Sequence, residues 1–168
     1  ISTSGIERVE DYLRQSFAER ARNPRQMWVL ANWACLAADN LEVEQLGLEA
    51  VSDARARAWT EYANACRVVE KLEEAEASLT TASKHVALGS HAPLLLARQS
   101  DVYASLLRTL GKNEEASLVL ERVEHVYRTA GDLHLAGRAL VKRGIVERYR
   151  GNPSFACKLF EQGIALLD

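Results

Sequence analysis

Proline and glycine are scarce, at three and nine residues in a chain of 168. Turn-rich all-β folds need many more residues suited to tight turns, so that class is excluded. Cysteine is sparse too. Cys35, Cys66 and Cys157 are odd in number, stand 31 and 91 residues apart and include no CxxC pair. That spacing argues against a disulfide framework or a zinc site. It fits a reducing, cytoplasmic setting in which the thiols act as small buried hydrophobes. No apolar run approaches the ~20 residues that span a bilayer, and no charged-then-apolar signal segment opens the chain. Charge of one sign is also missing. The 21 Lys and Arg face 23 Asp and Glu, for a net charge of -2, which speaks against direct nucleic-acid binding and against an acidic tail.

Catalytic signatures are missing as well. There is no HExxH, no GxSxG and no Gly-rich phosphate loop, and His85, His91, His125 and His134 never stand four apart. Neither a cofactor, a metal site nor an enzyme is therefore expected, and solvated or capping roles suit the histidines. The chain begins at Ile1 and its only methionine is Met27. We read it as a piece of a larger protein or a processed product.

What is abundant is helix-forming text. Hydrophobic residues make up 48%, enough for a sizeable core. They recur at three- and four-residue steps, as in Ala116, Leu118, Val119, Leu120, Val123, Val126 and Tyr127. Gly89, Gly111, Gly131 and Gly151 punctuate the text at intervals of 22, 20 and 20 residues and suit left-handed helix ends. Ser90, Asn113, Asp132 and Asn152 supply the following starts. Toward the N-terminus the pattern predicts helices over Ile6–Arg20, from Asn23-Pro24 to about Ala38, from Glu42 to Val69 with a break near Ser52-Asp53, and over Leu72–Leu88. The total is eight helices and no strand, in a single domain with pairs at about 5–38, 42–88, 91–130 and 132–168.

The pairs repeat. Ala75, Ala116 and Ala156 lie 41 and 40 residues apart, each followed four residues later by a large apolar residue, Leu79, Leu120 or Phe160. Twelve residues before them stand Ala63, Ala104 and Gly144, all small. Small residues facing each other on two helices let their axes approach closely, and the large residue fills the groove beside the contact. Asn23–Met27 begins a more divergent copy.

Trp59…Tyr62-Ala63…Leu72-Glu73-Glu74-Ala75…Leu79…Ala82, with the copies Tyr103-Ala104…Gly111…Ala116…Leu120 and Leu140…Gly144…Gly151…Ala156…Phe160, resembles the tetratricopeptide repeat family. The likeness covers residues 53–168 well and 5–52 loosely. The period of 40–41 exceeds the family's usual repeat, and Val123 and Gly163 stand where the first copy has Ala82. The resemblance implies an all-α, right-handed α-solenoid of about four antiparallel helix pairs whose concave face, built from the first helix of each pair, binds a protein or peptide.

Aligned first helices set out four columns: Arg57, Arg98 and Arg138; Thr60, Asp101 and Val141; Asn64, Ser105 and Ile145; Arg67, Arg108 and Arg148. Offsets of 0, 3, 7 and 10 fall within an arc of about 80° on a helix. A surface lined with guanidinium groups would take an acidic peptide, a C-terminal carboxylate or a phosphorylated segment. Alternatively the Arg side chains pair with acids of neighbouring repeats, the candidates being Glu61, Asp101, Glu73, Glu74, Glu114 and Glu147. The family's carboxylate clamp matches at Asn64 but not at Thr60.

The functional expectation is a non-enzymatic protein-interaction module. The alternatives are a ligand-sensing segment of a larger transcriptional or signalling regulator, and an oligomerising scaffold joined through exposed solenoid ends such as Ile164–Leu167. Adjacent acids Glu73-Glu74 and Glu114-Glu115 suit the positive ends of helix dipoles. Trp28 and Trp33 point about 140° apart on one helix, so at most one is expected to be fully buried, with core contact for that one. The other is either packed under Ile6–Arg20 or free to anchor a partner.

Overall fold

A computed structural model describes residues 3–167. Among them every regular element is helical: α1 (Thr3–Glu19), α2 (Pro24–Asp39), α3 (Val43–Leu46), α4 (Leu48–Val68), α5 (Leu72–Val86), α6 (Pro93–Thr109), α7 (Asn113–Thr129), α8 (Leu133–Tyr149) and α9 (Pro153–Ile164). Two compact units form, Ile1–Leu95 and Leu96–Asp168, with the boundary near the start of α6. In the first, α1 packs on α2, α2 on α4 and α4 on α5; in the second, α7 packs on α8 and α8 on α9.

Neighbouring helices are joined by one recurrent turn. In α4, α6, α7 and α8 the amide two residues past the cap reaches back five positions along the chain, Lys71 to Cys66, Lys112 to Leu107, Asp132 to Tyr127 and Asn152 to Glu147, at 2.8–2.9 Å. The residue between takes a left-handed φ: Glu70 (63°), Gly111 (76°), Gly131 (80°) and Gly151 (83°). This closure satisfies carbonyls that the helix end would otherwise orphan.

Three helix boundaries differ from expectation. Gly89 is not left-handed; the residue that is, in that loop, is His91 at φ 58°. Gly89 is small for another reason, because a Cβ there would run into the Asp53 carboxylate, which accepts Ser90 N–H at 2.9 Å and the Ser90 hydroxyl at 2.6 Å. The long segment from Glu42 breaks at Gly47 (φ 85°, ψ 149°) rather than near Ser52-Asp53, which separates off the short α3 and brings the helices to nine among the described residues. Asn113 lies inside α7, whose cap position is Lys112, and the Asn152 side chain makes no cap bond. Asn23 and Asp132 do cap, accepting from Gln26 N–H at 3.1 Å and Leu135 N–H at 3.0 Å.

The alanine repeat is the inner seam of these pairs. Ala63, Ala75, Ala104, Ala116, Gly144 and Ala156 are all buried. Ala104, Ala116 and Leu120 share one apolar cluster with Leu107 and Val146. Gly144 leaves room for a bulkier partner, since a Cβ there would sit 2.6 Å from the Phe160 ring. A second small-residue contact escapes the repeat reading. Gly137 faces Gly163, and one repeat earlier Ala97 shares a cluster with Val123.

Cys35 and Cys66 are buried as expected, whereas Cys157 is exposed, because α9 turns that side away from Ala156 and Leu159. Burial pushes both inner thiols up, Cys66 to about 11. Buried thiols with so little thiolate are poor nucleophiles.

Candidate interaction surface

The predicted residues lie on α4 in the first unit and on α6 and α8 in the second. On α4, Arg57 is exposed and ion-pairs with Glu10 of α1, an acid outside the predicted set. Thr60 is buried, and its hydroxyl has no hydrogen-bond partner. Asn64 and Arg67 bond to each other at 2.9 Å. Within the first unit the polar ends of this stripe are therefore engaged locally.

On α6 the pattern is tighter. Asp101 is only 5% exposed and is clasped by two cations, Arg98 at 3.0 Å and Lys142 of α8 at 2.6 Å. Ser105 is buried and turns its hydroxyl back to the Asp101 carbonyl at 3.0 Å. Burial lowers the pKa of Lys142. The Asp101 carboxylate opposes that shift, and the positive charges of Arg98 and Arg138 add to it. Asp101 thus serves as an internal counter-ion for a cationic cluster, and a partner would not reach it as a surface acid. Lys142 lies one residue off the aligned columns, so the sequence reading passed it over. Its place directly after Val141, the residue aligned with Asp101, is the signal that could have found it.

On α8 the stripe is open. Arg138, Val141 and Ile145 are half-buried and Arg148 is exposed. The Arg148 guanidinium lies 5.6 Å from the Tyr149 ring centre. Neither Arg138 nor Arg148 has an ion pair among the described residues, and the same holds for Arg108 on α6. An Arg–Val–Ile–Arg stripe offers guanidinium forks at its ends and aliphatic surface between them.

The acids named as candidate partners are largely used elsewhere. Glu74 accepts the Tyr62 hydroxyl at 2.5 Å and Lys71 at 3.0 Å, and one repeat on, Glu115 accepts the Tyr103 hydroxyl at 2.8 Å. Glu147 is 1% exposed and accepts Ser117, Arg150 at 2.8 Å and Asn152 at 2.7 Å. Burial alone would raise its pKa, but these bonds and the Arg150 charge outweigh that and hold it below 4.5. Arg150 also approaches Glu114, at 3.9 Å. One of the predicted acids, Asp101, is bonded to an aligned arginine, Arg98.

Other readings resolve simply. Burial, followed by the Arg55 charge, lowers the pKa of His85. No group of three or more His, Cys, Asp or Glu among the described residues could hold a metal ion. Among them, too, no helix is long and apolar enough to cross a membrane. Trp28 is half-buried, with Lys71 4.4 Å from its ring centre and Tyr62 beside it, whereas Trp33 is 45% exposed. No protein-family model matches the chain, and no curated protein matches it.

Proposed function

We propose that this chain is a non-enzymatic protein-interaction module, a right-handed solenoid of about four helix pairs similar to tetratricopeptide repeats. It binds an acidic peptide or protein segment along the first helices of its pairs. The observation that carries the reading is the open stripe on α8, where Arg138 and Arg148 flank Val141 and Ile145 and neither arginine makes an ion pair among the described residues. Long side chains with unsatisfied guanidinium donors beside aliphatic surface suit a carboxylate-bearing chain. The recurrence of turn, seam and Tyr–Glu bond about every 41 residues supports the repeat architecture.

Arg108 and Arg148 are the residues to test, because Arg98 is committed to buried Asp101. Fluorescence anisotropy with a glutamate- and leucine-containing peptide should show binding that weakens about fivefold in Arg148→Ala and further in Arg108→Ala/Arg148→Ala. The melting temperature should not move. Equal affinity of wild type and the double variant would remove the arginine stripe from the proposal.

A further inference from the structure

Between α1 and α2 lies a groove of about 440 Å³, within the ~300–1,000 Å³ of ordinary ligand clefts. Its apolar lining includes Tyr12, Trp33 and Leu36. Trp33 is 45% and Leu36 55% exposed, an unusual amount of solvent contact for two large hydrophobes side by side. The indole is held in place, edge-on to Tyr12 with ring centres 5.8 Å apart. A rigid aromatic pair of this kind can accept an apolar side chain without losing much conformational entropy.

The groove also has a sign. Arg8 is the only charged residue among the described residues of its lining. The acid one turn on, Asp11, is taken by Arg14 at 2.7 Å, and among the described residues Arg8 makes no ion pair. Asn40, also in the lining, donates its Nδ2 to the Leu36 carbonyl at 2.8 Å, so its Oδ1 is left to accept. The lining thus combines apolar surface, one cationic fork and one amide acceptor.

We infer that this groove docks a segment of a partner protein in which a large apolar side chain stands beside a carboxylate. The apolar group covers Trp33 and Leu36, and the carboxylate pairs with Arg8. This surface shares no residue with the arginine stripe and does not depend on it.

The test follows the indole N–H resonances of the three tryptophans, with Trp33 assigned by Trp33→Phe. The probe is a 12-residue amphipathic peptide carrying Phe and Leu on one face and flanking Asp residues. One control replaces Asp by Lys, and a second replaces Phe and Leu by Ser. The acidic apolar peptide should shift the Trp33 resonance, with affinity falling about fivefold in Arg8→Gln and lost in Leu36→Asp. Both positions are exposed, so melting should not change. If Leu36→Asp does destabilise the fold, Arg8→Gln alone decides. Arg148→Ala should leave the shift intact. Equal response to the Lys peptide, an unchanged affinity in Arg8→Gln, or no shift would overturn the inference. A Trp33 shift that tracks protein concentration without peptide would assign the groove to self-association instead.

Discussion

Gly137 of α8 and Gly163 of α9 meet backbone to backbone. A Cβ built on Gly137 would lie 2.7 Å from the Gly163 carbonyl oxygen, and one built on Gly163 would lie 2.8 Å from that of Gly137. Neither oxygen belongs to a side chain that could swing aside. Gly137→Ala gains helix propensity of about 1 kcal/mol, yet it forces the two helices apart. A net loss of about 1–2 kcal/mol is expected from overpacking, read as an earlier midpoint in urea unfolding. An unchanged or later midpoint would show that the seam can open without penalty.

Two turns further along α8 the conflict is with a ring. Gly144→Ala should destabilise, because the new methyl meets Phe160. The equivalent positions in the preceding copy are Ala104 and Leu120, packed in one cluster. Phe160→Leu should therefore rescue Gly144→Ala, with a coupling of about 1 kcal/mol in the double-mutant cycle. Additive effects of the two changes would contradict the structural equivalence of the copies.

Glu70 holds a left-handed φ of 63° where the equivalent turns use glycine. That conformation costs a non-glycine residue about 1–2 kcal/mol. Glu70→Gly should raise stability by about 1 kcal/mol, after allowing for glycine's greater freedom in the unfolded chain. Thermal melting of the single variant decides it, and a loss of stability would mean that Glu70 has a compensating role.

Glu147 makes folding depend on pH. Its pKa in the folded chain lies below the ordinary 4.5. The group therefore contributes stability above that value, and the contribution is lost as pH falls through the folded-state pKa. Glu147→Gln should cost about 1–3 kcal/mol at neutral pH, and the gap to wild type should narrow below about pH 4.5. Melting both proteins across the acid range checks the sign. A gap constant with pH would show that the charge of Glu147 contributes nothing.

The helices and their turns were readable along the chain because both are local. Apolar steps of three and four residues mark a helix face, and Gly111, Gly131 and Gly151 mark its ends. Glu70 takes the same left-handed turn, although nothing in its own chemistry favours one. Gly89 shows the opposite limit, because its smallness answers to Asp53, 36 positions earlier in the chain. The facing pair Gly137 and Gly163 was likewise invisible to a reading that followed one small residue per helix.

By itself the sequence determined an all-helical chain, its repeat of about 41 residues and the small-residue seam, because hydrogen bonding within a helix and its hydrophobic period are properties of neighbouring residues. Which charges find a partner was settled by how the helices pack. Asp101 lies in the predicted stripe yet is enclosed by Arg98 and Lys142, while Arg138 and Arg148 make no ion pair among the described residues. A salt bridge depends on where two long side chains end after their helices pack. Columns in an alignment fix where each residue leaves its helix and leave open which opposite charge its tip will meet.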